Sequence, residues 1–173
     1  MTETNSAAAN RPNFAITGQY VKDLSFEAPG TPQVFSQLNT SPSVEINVDV
    51  EAKPFENNMF EVALKFHIKS TFGGQQGFIL ELVYCALVAL NLPQEQVQPA
   101  LLVEAPRLIF PFARAIVSDV TRDSGFPALM VQPIDFVQLY NQRIQEMAAK
   151  QNMPAPTPVE EKAGKKPSKG KAS

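Results

Sequence analysis

The side chains able to do covalent or metal chemistry are few, and their placement does not favour it. The chain holds one histidine, His67, and one cysteine, Cys85. A catalytic nucleophile needs a positioned base and a third group to orient that base, and these two residues offer no third partner. Nor do one thiol and one imidazole make up the ligand set of a metal site. Cys85 lies in the apolar run LVYCALVAL, where a thiol acts as a small buried hydrophobe. His67 takes a polar-facing position in an alternating segment, so a solvated or hydrogen-bonded imidazole is expected rather than a base. Gly73, Gly74 and Gly77 lack the spacing and the lysine of a phosphate loop and mark a turn instead. Glu160 and Glu161 form a carboxylate pair in a lysine-rich tail, where both are solvated. No catalytic residue, cofactor, nucleotide or metal is expected.

Binding chemistry remains. Val44, Ile46 and Val48 form an apolar row at strand spacing. Phe136, Leu139 and Tyr140 form a second row at helical spacing. Rows of this kind offer apolar surface to many sequences, and they equally suit a core or a subunit interface. A third group is acidic: Asp23 and Glu27 share a face at strand spacing in KDLSFE, and Glu81 stands in FILEL on another strand.

The elements that must position these residues follow from periodicity. In FAITGQYVKDLSFE the even positions Phe14, Ile16, Tyr20, Leu24 and Phe26 are apolar, which predicts a strand with one buried face. VEINVDVE alternates in the same way, as does NMFEVALKFHIKS with Phe60, Val62, Leu64, Phe66 and Ile68 on one side. After the GGQQG turn, FILELVYCALVAL is apolar on both faces and predicts a strand covered at least in part on both sides. Between the first two strands, residues 28–43 carry Pro29, Pro32 and Pro42 and are expected to form an extended loop. PALLVEAPRLIFPFARAIVSDVTRD predicts a helix that starts or bends at Pro106 or Pro111, with Leu108, Phe112, Ile116, Ile109 and Phe110 packed on the sheet. GFPALMVQP is then extended, and Asp135 with Gln138 resembles a capping box opening a last helix that carries Phe136, Leu139, Tyr140, Ile144 and Met147. The class is α+β, a four-stranded antiparallel sheet packed with two helices.

Composition limits what such a domain can be. With 173 residues, 44% hydrophobic and 18% charged, the chain is one globular domain's worth of sequence. No apolar run of membrane-spanning length occurs, and residues 1–10 lack the basic start and apolar stretch of a signal peptide, so a cytoplasmic protein is expected. The net charge of −2 is uneven. From Asn152 onward five lysines outweigh two glutamates, so the rest of the chain is distinctly acidic. An acidic body does not suit nucleic acid and does suit a basic partner. Residues 1–12 and 151–173 have little to bury and are expected to be disordered, leaving 13–150 as the folded domain.

Three ordered segments resemble the SecB protein-export chaperone family: YVKDLSFEAPGTPQVF at 20–35, FEVALKFHIKS followed by FILELVY, and RLIFPFARAIVSDVTRDSGFPALMVQPIDFVQLY at 107–140. Together they cover about residues 12–148. One departure stands out, because VYCALVALNLP occupies the place of a glycine-containing stretch common in the family. The resemblance implies a homotetramer built as a dimer of dimers, without stable insertion in a membrane. It implies ATP-independent binding of unfolded secretory preproteins along hydrophobic grooves, with Val44, Ile46, Val48, Phe136, Leu139 and Tyr140 lining them. It also implies delivery to the motor ATPase SecA, whose short basic zinc-bearing tail would meet Asp23, Glu27, Ile79 and Glu81. The alternative is a structural or adaptor subunit whose apolar rows are buried in a permanent complex.

Overall fold

The alternating segments pair into one sheet. The computed structural model describes residues 13–151, so of the segments expected to be disordered residues 1–12 and 152–173 lie outside the described residues, while Gln151 is the last residue of a helix. Strands β1 (Phe14–Glu27), β2 (Ser43–Pro54), β3 (Met59–Phe72) and β4 (Gln75–Leu90) are antiparallel in the order β1-β4-β3-β2. β2 and β3 join through a tight turn in which Asn57 and Asn58 adopt φ of 55° and 59°, a region asparagine tolerates. Gly73 and Gly74, at φ of 55° and 82°, turn β3 into β4. At Gly77 a Cβ would lie 2.7 Å from the Phe72 ring, so only glycine fits where the ladder slips a residue. The VYCALVALNLP departure changes little here, since β4 runs unbroken to Leu90.

The helices cover one face of the sheet. Gln94–Pro99 forms α1, a π-helical turn spans Ala100–Glu104, and α2 continues from Ala105 to Asp123. The helical stretch thus begins earlier than Pro106. That proline falls in the first turn of α2, where the π turn has already broken the i→i−4 pattern and its missing N–H costs little. α2 buries Ala105, Ile109, Phe110, Ala113, Val117 and Thr121. Leu108 and Phe112, expected on the sheet, are instead 50% and 53% exposed. Successive residues are rotated by about 100° around a helix, so the seam through Ile109, Ala113 and Val117 turns Leu108 and Phe112 outward. The sequence is apolar on more than one side of this helix, and the wrong stripe looked like the buried one.

The connections are packed rather than loose. The 28–42 linker holds a 3-10 turn at Gln33–Gln37 that buries Val34 completely. After α2, Gly125 (φ 87°) reverses the chain, and Phe126 enters an aromatic cluster with Phe26, Phe35, Phe72 and Phe78 at centroid distances of 5.1–6.1 Å. The buried Thr121 hydroxyl donates to the Val117 carbonyl (2.9 Å) and accepts from the Leu129 N–H (2.9 Å), tying the extended segment to the helix. The last helix, α3 (Phe136–Gln151), opens on the Asp135 carboxylate, which accepts from the N–H groups of Val137 and Gln138 at 3.0 Å each.

Candidate functional site

The two faces of the sheet carry different surfaces, and the register assigns residues to them. Directly paired residues of an antiparallel ladder point to the same face. On β4, Phe78, Leu80, Leu82, Ala86 and Val88 are buried in the core beneath the helices. Ile79, Glu81, Val83, Cys85 and Leu87 therefore look the other way. In β1, Asp23 pairs with Val83, Ser25 with Glu81 and Glu27 with Ile79. Asp23, Glu27, Ile79 and Glu81 thus meet on the outer face as neighbours on two adjacent strands. The sequence alone suggested a shared face only for the first two.

Between the start of β1 and this site lie two register shifts, at Ile16/Gly18 and Val21/Asp23. Each inserts an extra residue and flips the side-chain parity; the second restores what the first changed. Tyr20, expected beside Ile16 and Leu24 on the buried face, instead pairs with Cys85 on the outer face. There its hydroxyl donates to Glu61 at 2.5 Å, and the Lys22 ammonium donates to the same carboxylate at 2.6 Å. The bond from Lys22 and then that from Tyr20 hold the Glu61 carboxyl below its usual range, and the Tyr20 phenol is pushed well up by the same hydrogen bond and by burial. Glu51 is likewise lowered by Lys65, whose ammonium lies 2.7 Å away. Cys85 is fully buried, and desolvation raises its thiol. It is a packing residue.

These pairs neutralise the middle of the outer face and leave its β1–β4 side acidic. Among the described residues Asp23 and Glu27 make no ion pair, while Glu81 meets only His67, with Nδ1 2.8 Å from Oε1. An open concavity of about 360 Å³ crosses the strands from Asp23 past Val83, Glu81, His67 and Lys65 to Asp49.

The helix side carries the apolar surface. A groove of about 590 Å³ runs between the end of β2 and start of β3, α1, the π turn and α3, with Phe60, Val97, Leu102, Tyr140, Ile144 and Met147 among its lining and Glu51, Lys53 and Gln98 at its polar margin. A smaller recess beside it is formed by Val50, Leu102, Leu139, Tyr140 and Arg143. Arg143 anchors α3 to β2 by donating to the Val50 carbonyl and to Asp49 Oδ1. Ile144 and Met147 are 46% and 53% exposed, so the groove is open to a ligand.

The structure brings only part of the expected apolar lining together. Leu139 and Tyr140 reach the groove system. Phe136 does not: it is 2% exposed and packs edge-on against Phe110 at 6.1 Å, which makes it a core residue rather than a client contact. Val44, Ile46 and Val48 pair with Ser70, Ile68 and Phe66 on the helix side, half-buried against the core and outside the groove and its recess, although Val48 borders the concavity that runs from Asp23 to Asp49. Ile144 and Met147 were legible in sequence as the continuation of the Tyr140 stripe. Phe60, Val97 and Leu102 come from three separate elements, and no local pattern links them.

No group of three or more His, Cys, Asp or Glu side chains that could hold a metal occurs among the described residues, and no described helix is long and apolar enough to cross a membrane. Comparison with known proteins shows what the chain is similar to. The family model for preprotein translocase subunit SecB matches residues 7–147. The protein-export protein SecB of Rhodospirillum rubrum is 51% identical over 143 residues, covering 83% of this chain and 89% of that one. That of Paramagnetospirillum magneticum is 47% identical, covering 87% and 98%. Among solved structures, a Mycobacterium tuberculosis SecB-like chaperone in complex with an antitoxin peptide superposes with a TM-score of 0.56 at 17% identity, covering 70% of this chain and 91% of that one, and so shares the fold. A chain matched over most of its length by that family model, and half identical to named members, belongs to the SecB family.

Proposed function

We propose that this protein is an ATP-independent cytoplasmic export chaperone, which holds unfolded secretory preproteins in its apolar grooves and delivers them to SecA through its acidic sheet face. The observation that carries the reading is the open groove along α3. It offers Phe60, Val97, Leu102, Tyr140, Ile144 and Met147 without a shaped polar pocket, as a binder of many sequences requires. Each client side chain buried there contributes roughly 1.5–3 kcal/mol before ordering costs are subtracted. Methionine at the margin adapts to different client side chains. Native proteins keep their apolar side chains inside and have nothing to offer such a groove.

The assembly is a homotetramer, a dimer of dimers. Leu108 and Phe112, turned outward on α2 at 50% and 53% exposure, support a helix face buried between copies. Repetition of the groove in four copies adds avidity along one extended client. Asp23, Glu27 and Glu81, with Ile79 beside them, supply the negative field and apolar contact that the basic tail of SecA fits, and hydrolysis belongs to that partner.

Light scattering of the purified protein, alone and with a chemically unfolded secretory precursor in the absence of nucleotide, tests the reading. A tetramer that forms a complex with the unfolded precursor and ignores its folded form is expected. An oligomer that ignores both forms would contradict it and favour an adaptor whose apolar faces are permanently covered.

A further inference from the structure

We propose that the lysine-rich segment 162–171 docks on the outer sheet face of its own copy, where it competes with SecA for Asp23, Glu27 and Glu81. The contact between segment and face stands apart from the SecA assignment; only the competition rests on it. Asp23, Glu27 and Glu81 are exposed on that face. Among the described residues Asp23 and Glu27 make no ion pair, and Glu81 meets only His67. The nearby cations are mostly engaged, Lys22 by Glu61 at 2.6 Å and Lys65 by Glu51 at 2.7 Å. Lys69, opposite Ile79, is one lysine against three carboxylates, so the β1–β4 side keeps a negative surplus.

The chain itself carries the matching charge. Lys162, Lys165, Lys166, Lys169 and Lys171 place five ammonium groups within ten residues that include no acid. A block of like charge beside a folded domain of the opposite sign reads as an interaction segment. The geometry brings it within reach. α3 ends at Gln151, eight residues or about 12 Å beyond Arg143. Arg143 reaches round the β2 edge and donates to Asp49 at 3.2 Å. Asp49 pairs with Lys65, Lys65 with Val83 and Val83 with Asp23, so these four stand in one line across the sheet. Three strand spacings make that line about 14 Å long. The open concavity of about 360 Å³ follows the same line from Asp49 to Asp23 and takes in Glu81.

Lys165 lies 14 residues past Gln151. At about 3.3–3.6 Å per extended residue it can stand roughly 46–50 Å from the helix end, farther than the path back along α3, round the β2 edge and across the concavity. Lys162 and Lys166, about 13–14 Å apart in an extended chain, match the length of that concavity. Each exposed ion pair is weak alone, but the tether makes the contact intramolecular and raises the effective concentration of the lysines at the face. A basic segment of SecA must then displace a competitor that is always present.

The test is carbodiimide cross-linking of the purified full-length protein, which joins a lysine amine to a carboxylate in contact with it, followed by peptide mapping by mass spectrometry. A preparation assembled from equal amounts of isotope-labelled and unlabelled chain separates links within one copy from links between copies. Links from residues 162–171 to Asp23, Glu27 or Glu81 within one copy are expected, as is their loss at about 1 M salt, where the screening length falls to about 3 Å. Absence of such links, or links only between copies, overturns the inference and leaves SecA docking at this face intact. The competition is read from the dissociation constant for purified SecA, with unfolded-precursor binding as a check on folding. A full-length variant with Lys162, Lys165, Lys166, Lys169 and Lys171 each changed to Gln is expected to bind SecA about two- to fivefold more tightly than the wild type, the effect of removing a weak tethered competitor. Equal affinities overturn the competition. Absence of SecA binding by both forms, with the links present, overturns the docking assignment and the competition but not the contact. Binding of phosphatidylglycerol vesicles by the wild type and not by the variant, without the links, assigns the segment to a membrane surface and overturns the inference.

Discussion

The two faces of one sheet are built from the same four strands and do opposite things. On the helix side, residues from all four strands, the π turn, α2 and α3 interlock and leave the groove and its neighbouring recess open. On the outer side no described element covers the strands, and charged residues face solvent. The helix side gains its stability from burial of side chains such as Leu64, Ile68, Leu80 and Ile109, all fully buried. The outer side gains little from each exposed ion pair and keeps an unneutralised acidic margin instead. The difference teaches that the open apolar groove is what core packing leaves over, while the character of the outer face is set by which charges are left without partners.

The sharpest break in the comparison is a substitution that confuses core with groove. Phe136→Ala should cost about 3–5 kcal/mol of stability, read from denaturant unfolding, because the ring is enclosed against Phe110. Little stability loss would return Phe136 to the groove lining. Next, Tyr140→Ser with Ile144→Ser and Met147→Ser should weaken binding of an unfolded precursor tenfold or more, on the order of 1.4 kcal/mol, in a titration by fluorescence anisotropy. Unfolding of this variant should change much less than that of Phe136→Ala, since Ile144 and Met147 are exposed. On the other face, Asp23→Lys with Glu81→Lys should abolish most SecA binding and leave precursor binding as it was. Loss of both together would mean a folding defect and remove the site from that face.

The smallest effect concerns acid. Glu51 and Glu61 are held below the ordinary carboxylate value of 4.5 by their lysines. A lowered folded value means stability that is complete above about pH 4.5 and lost as pH falls through the folded values. Glu51→Gln with Glu61→Gln should therefore flatten the acid limb of the stability curve while changing neutral stability by only about 1 kcal/mol or less, measured by urea unfolding from pH 7 to pH 3.

Much of this was legible in sequence, for physical reasons that also mark where legibility ended. Strands β2 and β3 alternate strictly, and one buried face writes itself into every second residue, as Ile46, Val48 and Val50 show. β1 alternates on paper too, but two bulges carry Tyr20 to the other face, and nothing in the local pattern distinguishes it from Ile16 or Leu24. In α2 two apolar stripes compete, and the choice between them depends on where the sheet lies, which is a tertiary fact. The acidic site needed the β1–β4 register to unite Asp23 and Glu27 with Glu81, and only the family resemblance anticipated it. His67 was legible as polar-facing; its partner Glu81 lies 14 residues away on the next strand.

The central claim is that the two faces bind two partners at once. Sedimentation velocity of the protein mixed with an unfolded precursor and SecA, without nucleotide, tests it most directly. A ternary species is expected for the wild type, a precursor-only complex for Asp23→Lys with Glu81→Lys, and a SecA-only complex for the Tyr140, Ile144 and Met147 variant. Mutual exclusion of precursor and SecA by the wild-type protein would contradict the account, because it would place both ligands on one surface.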